Sequence, residues 1–121
     1  MLSVYFLGGN KMTNTLDFNK VKKNYFTITL NNEERTKLQV MTPTKRLLSE
    51  LATILPETSG GMPSDEDLKS LYNFAAQLMS RNKAGREVTA EELEEILDFE
   101  DLIIFFTAYT DFIVGVTNEK N

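Results

Sequence analysis

The chain has 121 residues, of which 41% are hydrophobic and 26% are charged, a balance typical of one globular domain with a modest core. It contains no cysteine and no histidine, which excludes disulfide bonds, thiol nucleophiles and the commonest general base. No apolar run approaches the roughly 20 residues that span a bilayer. We therefore expect a soluble protein that is not an enzyme, binds no cofactor or metal, and does not contact a membrane.

The charge is unevenly distributed along the chain, although the net charge is only −5. Residues 1–46 contain eight Lys or Arg and three Asp or Glu, whereas residues 47–121 contain five and fifteen. Oppositely charged ends can attract copies of the same chain or bind a partner in one direction. The alternative interpretation is two solvated faces of one small domain.

Residues 1–14 are predicted to be a disordered or non-native extension. The apolar part of residues 1–11 has no basic segment before it, which argues against a signal peptide. Codons for Leu7 to Met12 can include AGGAGG shortly before ATG, which resembles a translated ribosome-binding site. We therefore hypothesise that Met12 is the natural start.

The next segment predicts a β-hairpin. Residues 15–23 are expected to form an extended lead-in anchored by Leu16, Phe18 and Val21. Residues 25–30 and 36–41 alternate between apolar and polar, as half-buried strands do. The inward side chains are predicted to be Phe26, Ile28, Leu30, Leu38 and Val40. Residues 31–34 form the predicted turn, because Asn tolerates the left-handed conformation.

Two longer helices are predicted after the hairpin. Thr42 and Pro43 are expected to begin the first, and Pro56 to end it. Its apolar stripe comprises Leu47, Leu48, Leu51, Ile54 and Leu55. Ser64 is expected to cap the second, which closes at residues 83–86. Its predicted buried face comprises Leu68, Leu71, Tyr72, Ala75, Leu78 and Met79.

Two further helices complete the predicted fold. Thr89 and Glu92 match a capping box for a short helix that ends near Leu97. Asp98 is expected to cap the last helix, which continues to about Val116. The predicted fold class is α+β, mainly α, with an N-terminal β-hairpin followed by about four helices. One domain over residues 15–116 and a flexible tail at 117–121 are expected.

Three clusters raise the question of chemistry, and each has a simpler interpretation. Eight acidic residues lie in and around the predicted short helix. Glu91 and Glu95 are one turn apart, and the others are Glu87, Glu92, Glu94, Asp98, Glu100 and Asp101. Carboxylates can hold Mg²⁺, but acids at helix N-termini are also favourable on a solvated face, which we prefer. The pair Gly60-Gly61 lacks the GK[ST] of a phosphate loop and is interpreted as a flexible connection.

A basic cluster offers a nucleic-acid interpretation. Lys20, Lys22 and Lys23 stand beside Tyr25 and Phe26, and basic residues next to aromatic rings can contact nucleic acid. The cluster is small and the chain is acidic, so we favour a solvated strand edge, where lysines also oppose aggregation. No nucleic-acid partner is expected.

The last helix is the most informative element because it is apolar over more than half of its circumference. Such a helix is central to the core or buried in an interface, and both interpretations stay open. For the interface, helix-in-groove packing is expected through Phe105, Tyr109 and Phe112, with Leu102 and Phe106 beside them. Together with the charge division, this helix favours a homo-oligomer.

The segments LDFNKVKKNYFTITL, VMTPTKRLLSEL and DFEDLIIFFTAYTDFIVGV resemble the tail assembly chaperones of long-tailed phages and prophages of Gram-positive bacteria. The resemblance covers roughly residues 12–116. It implies a small, mainly helical protein that binds the tape measure protein in the host bacterial cytoplasm and keeps it soluble while the tail tube polymerises. The major tail protein is a further candidate partner. Family members are often made in two lengths by programmed frameshifting, and the codons for Glu119-Lys120-Asn121 can form an A-rich slippery run.

Three rival functions remain at this point. A structural phage protein, such as a head–tail connector or minor tail component, would stay in the virion. A nucleic-acid-binding regulator would use the lysines of the hairpin region. A carboxylate metal enzyme would bind Mg²⁺ or Mn²⁺ at Glu91 and Glu95.

Overall fold

A computed structural model describes residues 15–57 and 62–118. The elements are a 3-10 turn at Phe18–Lys20, strands β1 (Phe26–Thr29) and β2 (Lys37–Val40), and helices α1 (Lys45–Glu57), α2 (Asp65–Ser80), α3 (Ala90–Ile96) and α4 (Phe99–Asn118). This order confirms the predicted α+β, mainly α fold of a hairpin followed by helices. The predicted extension at 1–14, the Gly60-Gly61 connection and residues 119–121 lie outside the described residues.

The two strands form an antiparallel hairpin in which Phe26 faces Val40 and Ile28 faces Leu38. The alternation predicts the faces correctly, since Leu38 and Val40 are buried in the core and Phe26 and Ile28 pack against it. The turn differs from the prediction in one respect. Its left-handed residue is Arg35, with φ of 52°, and not an asparagine.

Helix α1 begins two residues later than predicted. Thr44, and not Thr42, supplies the cap: its Oγ1 accepts from the Leu47 N–H at 3.4 Å. The carbonyl of Thr42 instead accepts two bonds from the Arg81 guanidinium, at 3.1 and 2.9 Å, which holds it outside the helix. Of the predicted apolar stripe, Leu47 and Leu51 are buried but Leu48 is exposed. The helix also continues past Pro56 to Glu57.

The other helices begin where the sequence predicts. Ser64 and Asp67 exchange side-chain-to-backbone bonds at 3.1 and 3.2 Å at the start of α2. Asp98 and Asp101 do the same at 2.8 and 3.0 Å at the start of α4. At α3, Thr89 accepts from the Glu92 N–H, but the Glu92 carboxylate bonds the Arg86 guanidinium at 2.8 Å. Helix α2 ends at Ser80, earlier than the predicted closure at residues 83–86.

One hydrophobic core joins the hairpin to the helices. Its largest fully buried side chains are Tyr109, Phe74, Phe106, Leu78, Met79, Leu93, Leu102 and Val40. Phe74 is buried although the sequence pattern does not place it on the buried face of α2. The expectation that the lead-in is anchored is wrong, because Leu16, Phe18 and Val21 are all exposed. The lead-in forms a 3-10 turn without buried residues and does not join the core cluster.

The buried residue Asn82 joins the hairpin to the segment after α2. Asn82 is 3% exposed, and its Nδ2 donates to the carbonyls of Met79 and Arg86, both at 2.8 Å. Its Oδ1 accepts from the Arg86 N–H at 2.9 Å. The same residue forms an antiparallel bridge to Val40, so the segment after α2 covers the outer edge of β2. This link spans distant parts of the sequence, and no local pattern reveals it.

We expect Asn82→Ala to lower the free energy of unfolding by about 3 kcal/mol. The reason is that the carbonyls of Met79 and Arg86 and the N–H of Arg86 lose their hydrogen-bond partner. Urea denaturation followed by circular dichroism measures this loss. Asn73→Ala, at an exposed position of α2, is the matched control and should change stability by less than about 0.5 kcal/mol. Equal effects of the two substitutions would show that the Asn82 amide does not stabilise the segment between α2 and α3.

Candidate protein-binding surface

The five residues expected to contact a partner lie on the inner side of α4. Leu102, Phe106 and Tyr109 have no exposed surface, and Phe105 is 7% exposed. Phe112 is partly buried and packs against the core. A side chain without exposed surface cannot touch a second protein in this conformation. Leu102, Phe106 and Tyr109 therefore belong to the core, and the exposed surface of α4 lies on the opposite side of the helix.

An aromatic cluster holds this inner side against the hairpin. The ring of Phe26 lies 5.5 Å from Phe112, 6.1 Å from Tyr109 and 6.5 Å from Phe105, measured between centroids. Phe106 stacks on Phe74 of α2 at 5.9 Å. Rings at these separations gain attraction beyond the area they bury. The cluster therefore clamps α4 between β1 and α2.

Tyr109 adds a directional contact to this packing. Its hydroxyl donates to the carbonyl of Met41, just after β2, at 2.7 Å. Burial raises the pKa of Tyr109 to about 12, and the Arg81 charge lowers it slightly against that trend. The buried phenol thus stays protonated and keeps donating well above neutral pH.

The exposed side of α4 forms a separate surface, here called the outer face. It comprises Phe99, Glu100, Ile104, Thr107, Asp111, Val114 and Gly115. Ile104 is 58% exposed and Val114 is 51% exposed, and these two residues lie about 15 Å apart along the helix axis. A Cβ placed on Gly115 would meet nothing within 4 Å, so the backbone there is open to close approach. The outer face thus exposes Ile104 and Val114 about three helical turns apart, with Thr107 and Asp111 between them.

The outer face carries only negative charge. Helix α4 contains Glu100, Asp101 and Asp111 and no Lys or Arg. The acids of α3 and the α3–α4 junction continue the same sign: Glu91, Glu92, Glu94, Glu95 and Asp98. Their field reaches Tyr72, whose pKa is raised first by burial and then by Asp98, Glu94 and Asp101. A basic or positively flanked partner fits this surface best.

The acidic residues and the aromatic rings of the catalytic and nucleic-acid alternatives have definite positions in the structure. Within residues 15–57 and 62–118, no three carboxylates converge closely enough to hold a metal ion. Phe26, one of the two rings expected beside the lysines, is part of the aromatic cluster. Tyr25 lies under the ammonium of Lys83 at 5.5 Å. None of the described helices is long and apolar enough to cross a membrane.

Comparison of the chain with protein-family models, with curated proteins and with solved structures found no match. The outer face is a surface that the sequence did not single out, although Ile104 and Val114 belong to the same apolar helix. Hydropathy marks both sides of this helix as apolar, so the missing information is which side the rest of the chain covers.

We expect Tyr109→Phe to lower the free energy of unfolding at pH 7 by about 1–2 kcal/mol, because the Met41 carbonyl loses its donor. The deficit should shrink as the pH rises from about 10 toward 12. In that window the unfolded tyrosine ionises while the buried one stays protonated, so the wild type loses roughly 1.4 kcal/mol per pKa unit of separation. The variant lacks this titration.

Urea titrations of both proteins at pH 7, 10 and 11 measure this convergence. Tyr25→Phe, at a half-buried ring outside the core cluster, is the matched control and should stay within about 0.5 kcal/mol of the wild type. A deficit for Tyr109→Phe that does not depend on pH would contradict the assigned role of the buried phenol.

Proposed function

We propose that this protein is a phage tail assembly chaperone, which binds the tape measure protein in the host bacterial cytoplasm and keeps it soluble while the tail tube polymerises. The resemblance of three segments to such chaperones motivates the proposal. The observation that carries it is the outer face of α4, whose apolar side chains Ile104 and Val114 the rest of the described fold leaves exposed.

The shape of the outer face suits a helical client. A long amphipathic helix exposes apolar side chains every three to four residues, so two of them about three turns apart can pack on Ile104 and Val114. Thr107 and Gly115 are small, which lets a second helix come close. Such packing buries the client's apolar stripe and prevents it from aggregating.

The contact between one copy and the client helix is weak, because only a few side chains form it. Fully burying one large aliphatic side chain contributes about 1.5–3 kcal/mol, and Ile104 and Val114 are already half covered. One copy therefore binds weakly, so tube subunits can displace it. Many copies along one long client supply the holding strength through avidity. The surrounding carboxylates keep the loaded complex soluble.

We expect Ile104→Glu/Val114→Glu to abolish the holding activity, because two charges then stand where the client's apolar stripe must pack. The test is coexpression with the tape measure protein encoded in the same phage genome, with the soluble fraction of that protein as the readout. Wild type should raise the soluble fraction severalfold, and the double variant should not.

Leu48→Glu is the matched control, because Leu48 is 44% exposed on α1, outside the outer face. It should retain full activity, and circular dichroism should show all three proteins folded. The proposal is overturned if wild type leaves the tape measure protein insoluble. It is also overturned if purified virions contain this protein in stoichiometric amount, since that outcome identifies a structural tail component.

A further inference from the structure

The segment at residues 15–23, here called the basic arm, stands apart from the core. Phe18 is 72% exposed, Leu16 is 66% exposed and Val21 is 39% exposed. Three lysines lie among these side chains, at positions 20, 22 and 23, and all are exposed. Apolar side chains held this far into water carry a cost that a contact with another surface would remove.

The basic arm has a defined conformation around Phe18, which is its most exposed side chain. Asp17 caps the 3-10 turn at Phe18–Lys20, and its Oδ1 accepts from the Asn19 backbone N–H at 3.0 Å and from the Asn19 Nδ2 at 3.2 Å. The Lys20 N–H donates to the Asp17 carbonyl at 2.9 Å. This turn presents Phe18 at its start in a defined conformation. A preformed anchor loses less entropy when it docks than a disordered one does.

The basic arm and the outer face of α4 are complementary in both charge and hydropathy. The arm has three lysines and one acid, Asp17, whereas α4 has three acids and no base. Each surface also has partly exposed apolar side chains, such as Phe18 on the arm and Ile104 on the face. In the described structure neither surface covers the other, since both sets of side chains remain exposed.

We propose that the basic arm of one copy docks on the outer face of α4 of a second copy. The two complementary surfaces belong to the same chain, so they are always present together in equal amounts. The contact joins two different surfaces, so it is heterologous: each bound pair still has one free arm and one free face. Copies therefore add head to tail and form a ring or an open filament.

This assembly has a consequence for the outer face. While a neighbour's arm covers it, its apolar side chains are shielded from water, and any other helix that binds there must displace the arm. The contact is measured with the purified protein alone, so its test does not depend on the proposed tape measure partner. Loss of the arm should free the outer face and leave it intact.

A charge-swap experiment on the full chain tests this contact. The arm variant carries Lys20→Glu, Lys22→Glu and Lys23→Glu, and the face variant carries Glu100→Lys and Asp111→Lys. Sedimentation velocity across a range of concentrations measures association. Wild type should associate, and each variant alone should associate at least about tenfold more weakly. An equimolar mixture should recover the association, because the acidic arm then meets the basic face and the unchanged arm meets the unchanged face.

The matched control reverses three exposed lysines elsewhere, Lys37→Glu, Lys45→Glu and Lys69→Glu, with the same change in net charge as the arm variant. It should associate as wild type does, and raising the salt toward about 0.5 M should weaken the wild-type contact. A wild type that stays monomeric at every concentration overturns the proposal. A mixture of folded variants that does not regain association overturns it too. If the wild type stays monomeric and its arm lysines bind single-stranded DNA, the arm binds nucleic acid and not a second copy.

Discussion

The rotation of α4 about its own axis is the constraint that decides which of its side chains are buried and which are exposed. Tyr109 fixes it, because its hydroxyl is held by the Met41 carbonyl while its ring packs against Phe26 of β1. Ile104 and Val114 each lie five residues from Tyr109, which places them about 140° around the helix from it. A helix with one inward side chain held this firmly has no freedom to turn its other residues. The exposure of the outer face therefore follows from the packing of the inner one.

The outer face has exposed apolar side chains because α4 has more apolar residues than its neighbours can cover. The hairpin and α2 contact one side of the helix, through rings such as Phe26 and Phe74. The remaining side keeps Ile104 and Val114 in contact with water, beside the charge of Asp111. Carboxylates among apolar side chains keep a free surface soluble and limit the strength of any contact made there. This combination suits a surface that binds and releases.

The parts of this fold that the sequence predicts are those set by short-range contacts. The caps by Ser64 and Asp98 join residues three apart, and the hairpin faces follow from strict alternation. The bridge between Asn82 and Val40 and the rotation of α4 depend on residues far away in the chain, so neither has a local signature. Phe105 shows the consequence: a helix that is apolar on nearly all sides does not reveal which side meets the core. Four of the five residues predicted to contact a partner, Leu102, Phe105, Phe106 and Tyr109, are therefore buried.

In α4, residues predicted to contact a partner are buried, whereas in the lead-in, residues predicted to be buried are exposed. Both differences have the same cause. Leu16, Phe18 and Val21 were expected to anchor their segment to the domain, but they stay exposed. Hydropathy states that a side chain gains from leaving water, and it does not state which molecule covers it. In this chain, partly exposed apolar residues occur near both ends, accompanied by lysines at one end and by carboxylates at the other. The simplest arrangement that covers both sets at once is a neighbouring copy, because only that partner supplies each missing surface wherever the protein itself is present.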